Sequence, residues 1–350
     1  MRYALFVMLV LSLIVGCDND KPDPAPVKPA NGGTKTDKGE VTLILYSGRK
    51  LSLVEPVIAE FTKQTSIKVE VKEGKSSAMA MQLNEEGVKS PADLFWAQDA
   101  GSLGDVAKAG LFEKAPDAVM NLLPEKHRTS SGLWVAVSGR ARVLAYAPAK
   151  VSSEELPKSI FDLTDPKWKG RIAWAPRNSS FQAFVTAMRI AHGEEKTKKW
   201  LIDMKANEPV VKPKNTPIIH GLASGEIALG LPNHYYLLRE KAKDAKYPVE
   251  QTFFADGDIG NLVNVAGVAI MKTSENKEAA AKFVEFLLSD WAQSYFTNTV
   301  FEYPLIESVK TNENLVPHDK LQAALPEVKL SDLDDLAGTL KLLKETGLAE

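Results

Sequence analysis

Apolar runs alternate with helix-period segments along most of this chain. Val41 to Tyr46 is apolar almost throughout, as a strand buried on both faces would be, and Ser47-Gly48-Arg49-Lys50 breaks it. Ser52 with Glu55 three positions on reads as a capping box, and Val54, Val57, Ile58 and Phe61 fall on one face of the helix it starts. Ile67, Val69 and Val71 alternate in a second strand, residues 76–86 are helical by composition, and Pro91 to Trp96 reads as a third strand ending at Gln98-Asp99. Leu103, Val106 and Ala107 mark the next helix, with Gly110 as its C-terminal cap. This order predicts an α/β fold with helices on the faces of a parallel or mixed sheet.

The same grammar continues further on. Trp134 to Tyr146 is a long extended stretch with Ser138-Gly139 in its middle, which suits a first crossing between two domains. Gly170 to Trp174 reads as a strand, and Ala175 to Ser180 as a loop feeding a helix with Phe181, Phe184, Val185 and Met188 at core spacing. Glu194 to Asn207 is helical, Ile227 to Leu231 and Val249 to Phe254 are strands, and Leu262 to Met271, interrupted by Gly267, is a candidate return crossing. Amphipathic helices follow from Asn276 to Tyr295 and from Ser331.

The amino terminus breaks the pattern. Met1-Arg2, an apolar run from Ala4 to Gly16 and then Cys17, the only cysteine, have the layout of a secretory segment, too short for the roughly 20 residues of a spanning helix. Ile14 to Cys17 resembles a bacterial lipobox, which implies a signal peptide over 1–16 and a lipid-modified Cys17 holding the protein on the outer face of the cytoplasmic membrane. Residues 17–40, rich in Pro and Gly and poor in large apolar side chains, read as a disordered tether reaching roughly 25 to 30 Å. The remaining residues suffice for two domains. A hydrophobic content of 44%, a charged content of 25% and a net charge of −2 fit a soluble globular body and remove the electrostatic case for nucleic acid.

Candidate chemistry concentrates at Gly230 to Tyr236, where a strand carrying Leu229 and Leu231 runs into a helix that starts with adjacent phenols. Ligands of open α/β sheets sit at such strand ends. Taken alone, a Tyr-Tyr pair more often packs than binds. Asn178, Ser179 and Ser180 at a helix start are ready for an anion, and equally ready simply to cap the helix. The five histidines have no metal-ligand spacing, and no nucleophile elbow, His-Glu-x-x-His, phosphate loop or dinucleotide fingerprint occurs, which argues against an enzyme.

Several stretches in order, Val41 to Arg49, Ser90 to Phe95, Val137 to Val143, Trp174 to Pro176, Asn233 to Tyr236 and Asn264 to Val268, resemble the ferric-ion-binding periplasmic proteins of ABC iron transporters. The resemblance covers residues 41 to about 305. It implies a two-lobed, transferrin-like periplasmic binding protein of type II, with residues 41–139 and 266–310 in one lobe and 140–265 and 311–350 in the other. It implies Fe(III) as cargo, a synergistic carbonate or phosphate, monomeric capture and delivery to a membrane permease. By position, Tyr235 and Tyr236 match the paired tyrosine ligands and Tyr146 a third used by some members. Asn178, Ser179, Ser180, Asn215 and Asn233 match anion contacts, with Arg140 and Arg49 supplying charge. Lys50 stands where many members have histidine and Gln98 where some have glutamate, so this chain resembles the phenolate-dependent variants.

Phenolate oxygen is a hard, basic donor suited to a hard trivalent ion. A free tyrosine titrates near pH 10, so the metal must displace its proton. Two other readings keep the fold. One is a receptor for a polyamine, thiamine or another anion, and the other is a ligand-loaded co-receptor for a membrane sensor.

Overall fold

The computed structural model describes residues 41–349. The export segment, Cys17 and the tether lie outside the described residues. Ten strands follow in chain order: β1 (Thr42–Ser47), β2 (Lys68–Glu73), β3 (Leu94–Ala97), β4 (Val135–Ala141), β5 (Leu144–Tyr146), β6 (Ile172–Trp174), β7 (Val210–Val211), β8 (Leu229–Gly230), β9 (Glu250–Thr252) and β10 (Val263–Ile270). They form two five-stranded sheets, ordered β2-β1-β3-β10-β4 and β7-β6-β8-β5-β9. Both sheets are built alike. Three parallel strands lie side by side, and the fourth and fifth run antiparallel to their neighbours. Helices pack around each, giving a two-lobed α/β protein.

The apolar patterning dictates this arrangement. β3 buries every side chain and β1 all but Thr42 and Ile44, as central parallel strands do when helices cover both faces. Val54, Val57 and Phe61 of the Leu51–Thr65 helix are completely buried, and Phe61 meets Phe283 edge to face at 5.0 Å. Truncating such a ring to Ala costs about 3 to 5 kcal/mol, transfer and cavity together. In the second lobe Trp174 packs edge-on to Phe181 and Trp200. The C-terminal helix, Leu336–Glu345, is tied to the Ser179–His192 helix by a 2.7 Å hydrogen bond between the Thr186 and Thr339 hydroxyls and a 2.8 Å ion pair of Arg189 with Asp335.

The structure departs from the sequence reading in three places. The extended stretch 134–146 is two strands, β4 in the first sheet and β5 in the second, so the crossing falls at Arg142-Val143. The return does not pass through the apolar run with Gly267. β10 lies wholly in the first sheet, and Gly267 sits at a register shift where a Cβ would stand 2.7 Å from Leu103 and 2.9 Å from Trp134. Close packing, and not hinge freedom, requires that glycine. Residues 253–262 make the return. The first helix begins after Lys50, with Ser52 already inside its first turn, and the carboxylate of Glu73 accepts the Leu51 amide at 2.9 Å in place of a capping box. Gly110 ends the Ala100–Lys108 helix as expected, following Ala109 in the left-handed region at a φ of +73°.

Candidate functional site

All six parallel strands end at one cavity of about 310 Å³ between the lobes. β1 delivers Gly48, Arg49 and Lys50, β2 delivers Glu73 and Lys75, and β3 delivers Gln98. From the second sheet, the chain after β6 brings Arg177, Asn178 and Ser179, that after β7 brings Lys214, and that after β8 brings Tyr235 and Tyr236. Gly48 allows the close approach: a Cβ there would fall 2.9 Å from the Cα of Ser76, at the start of the Ser76–Glu86 helix. Parallel strands hand over to helix starts at their carboxyl ends, so the partial positive charge of several helices converges here.

The tyrosines open the Tyr235–Lys243 helix. Their rings lie 4.3 Å apart, centroid to centroid, tilted by 31°. Arg239, one turn further along the same helix, spreads its guanidinium 4.6 Å from the Tyr235 ring and 5.9 Å from the Tyr236 ring. Burial, the facing Tyr235 and the hydrogen bond between the two phenols push the Tyr236 hydroxyl well above its ordinary pKa. His234 does not line the cavity. Its Nε2 lies 2.7 Å from the Phe301 carbonyl, its Nδ1 accepts from the Ala141 amide at 3.1 Å, and burial pulls its pKa down to about 4.

Behind the phenols lies a buried charged layer. Burial would draw the Arg140 guanidinium down, but Tyr235, Glu302 and Asp99 more than offset it and hold it above its ordinary value. Arg140 donates to Gln98 Oε1 at 3.2 Å and approaches the Tyr235 hydroxyl at 3.5 Å. Arg49, expected at the anion, lines the cavity and is bound through Nη2 to both oxygens of Glu302 at 3.0 and 3.1 Å. Burial alone would raise the Glu302 carboxyl, yet Arg49, Arg140 and the Ser138 hydroxyl keep it below the usual carboxylate range. Phe301, in the left-handed region at φ +60°, turns the chain so that Glu302 enters this layer.

The helix start at 178–180 is both capped and placed on the cavity. Asn178 Oδ1 accepts the Ser180 amide at 3.0 Å and the Ser180 hydroxyl at 2.6 Å, while Asn178 and Ser179 line the wall and Ser180 lies behind. Asn215 and Asn233 are also buried behind the lining, each with a side-chain polar atom that has no hydrogen-bond partner in the protein: Nδ2 of Asn215 and Oδ1 of Asn233. Gln98 is occupied at both ends, its amide nitrogen donating to the Gly48 carbonyl and its oxygen accepting from Arg140.

Tyr146 does not line this cavity. It closes β5 opposite Leu229 and Glu250, on the far side of the strand pair from Asn233, and burial together with Glu250 and Glu154 raises its pKa. The family resemblance suggested it; strand direction carries it away from the cavity. The sequence reading missed Arg239, Lys75, Lys214 and Glu302. Arg239 was detectable as the residue four after Tyr235 on one helix face. Nothing local marks Glu302, whose partner is 253 residues away.

Among the described residues no three His, Cys, Asp or Glu side chains gather where they could hold a metal ion.

A family model described as bacterial extracellular solute-binding protein matches residues 89–330. The chain is 34% identical over 312 residues to the major ferric iron-binding protein of Neisseria meningitidis serogroup B, covering 87% of this chain and 93% of that protein. It is 31% identical over 319 residues to the Fe(3+)-binding periplasmic protein of Serratia marcescens, covering 90% and 93%. Among solved structures, iron-bound HitA from Pseudomonas aeruginosa superposes with a TM-score of 0.84 at 31% identity, covering 88% of this chain and all of that one.

Proposed function

The chain belongs to the bacterial extracellular solute-binding proteins, in their ferric-iron-binding branch, and from that premise we propose that it captures Fe(III) between its two lobes and hands it to an ABC importer. One observation carries the assignment to this cavity. Tyr235 and Tyr236 stand side by side at a helix start on its wall, backed by Arg140 and Arg239. Two phenolates neutralise most of a trivalent charge, and an exogenous anion such as carbonate or phosphate at the convergent helix starts completes the shell. Tyr235 and Tyr236 are the ligands in this reading, Asn178 and Ser179 the anion contacts, and no catalytic step is involved.

Export and anchoring complete the proposal. A lipid on Cys17 keeps the body near the permease, and the 17–40 tether lets it turn and dock. The test is a visible absorption spectrum of the purified protein with Fe(III) and bicarbonate or phosphate. Phenolate-to-iron charge transfer gives a coloured protein; a colourless one retaining no iron removes the reading.

A further inference from the structure

One buried cation has no role in the site described above. Arg142, 3% exposed, stands at the first crossing between the sheets, and no carboxylate among the described residues pairs with it. Its side chain bonds to carbonyls instead: Nη2 donates to Leu231 O at 2.7 Å and Nη1 to Ser180 O at 3.4 Å. The guanidinium packs 4.8 Å from the Phe184 ring and 5.5 Å from that of Phe181, and burial draws its pKa down to about 9. A buried charge left without a partner is costly, and an apolar side chain of similar volume would fill the space against the two rings at lower cost. Packing therefore does not account for an arginine here.

The two carbonyls do. Leu231 follows β8 and leads through Pro232, Asn233 and His234 into the helix that opens with the paired tyrosines, while Ser180 lies in the first turn of the Ser179–His192 helix, whose start lines the cavity. The main chain ties the tyrosine segment to the crossing: the His234 amide donates to Ala141 O at 3.0 Å and the Val143 amide to Pro232 O at 3.2 Å. The guanidinium extends that tie to the helix start. A planar fork of donors holds two carbonyls at a fixed separation, which an ammonium on a flexible stem does not. The Arg142 amide also donates to Leu262 O at 2.9 Å, so both crossings meet at the residue that carries the fork.

We propose that Arg142 is the positioning residue that sets the paired phenols in register with the anion-facing helix start, so that iron and anion strengthen each other's binding through it. This rests on the iron reading above and names the residue that couples the two halves of the site. Arg142 lies behind the cavity lining and acts through Leu231 and Ser180, without touching metal or anion.

The test measures Fe(III) affinity by competitive titration in carbonate-free buffer, with and without phosphate at constant ionic strength, and takes the ratio of the two affinities as the coupling. Arg142→Lys keeps the charge and loses the fork. It is expected to lower the ratio by about tenfold or more while affinity without phosphate stays within about threefold of wild type. Phe184→Leu is the structural control: it loosens the packing on the guanidinium but keeps both carbonyl contacts, so its urea midpoint should fall with the ratio unchanged. If Arg142→Lys does not fold, Arg142→Gln is read in the same way, and failure of both to fold shows a structural role and overturns the inference. Arg142→Lys with the wild-type ratio, equal losses with and without phosphate, or a like fall of the ratio in Phe184→Leu also overturns it. Wild-type protein that binds iron equally with and without phosphate overturns the inference and leaves iron binding standing; wild-type protein that takes up no iron overturns both.

Discussion

The Ser179 hydroxyl lies 3.3 Å from both the amide nitrogen and the hydroxyl oxygen of Ser77, joining the starts of two helices that belong to different lobes. Both serines are buried, so the contact exists only when the lobes are together. A bulky side chain at this point would hold them apart without touching either hydrophobic core. Ser77→Trp should therefore lower iron affinity by about tenfold or more, since closure completes the binding geometry, while far-UV circular dichroism stays as in wild type. Unchanged iron affinity would mean that binding does not need this closed arrangement.

Loss of either phenol should be far more damaging. Tyr235→Phe and Tyr236→Phe each remove a donor oxygen and keep the ring stacking that Arg239 and the neighbouring ring rely on. Iron affinity should fall by at least about a hundredfold, beyond the usual cost of losing a mere supporting contact, and the visible band should disappear. Tyr146→Phe serves as the control and should leave both unchanged, because its phenol lies outside the cavity. Absorption spectra of the three variants decide the matter.

Gln98 tests the opposite side of the same argument. Its amide bridges the Gly48 carbonyl and Arg140, so Gln98→Ala removes a support of the charged layer and no ligand. Iron affinity should drop by less than about tenfold, with the band maximum kept. A loss comparable with that of the tyrosine variants would show that this residue coordinates.

Much of this molecule was legible in its sequence. The β1 and β3 strands, the helices at 76–86 and 194–207, and the Asn178 cap all follow from local patterning, because burial on two faces and side-chain capping are properties of neighbouring residues. What escaped depends on partners distant in the chain. Ser52 with Glu55 matched a capping box, but Glu73 at the end of β2 reaches the Leu51 amide and moves the helix start to Lys50. That Arg49 is held by Glu302 could not be read locally, because its partner lies 253 residues away. Tyr146 matched a ligand position by resemblance, and nothing in its local sequence says that β5 carries it away from the cavity.

The Arg49–Glu302 pair also fixes an expectation for stability and pH. Both side chains are 1% exposed, and Arg140 adds a second buried positive charge to the same carboxylate. Glu302→Gln leaves two buried guanidinium groups without their neutralising charge and should cost about 3 kcal/mol or more at pH 7, measured by urea unfolding. The folded carboxyl has its pKa held below the unfolded value, so the unfolded state binds the proton more readily in acid. Its stabilisation is fully present above the unfolded pKa, about 4.3, and is lost as pH falls through the lower folded value. The gap between wild type and Glu302→Gln should therefore be constant from pH 7 down to about 5.5 and narrow below about 4. A gap that stays constant into strong acid would mean that Glu302 is not ionised in the folded protein.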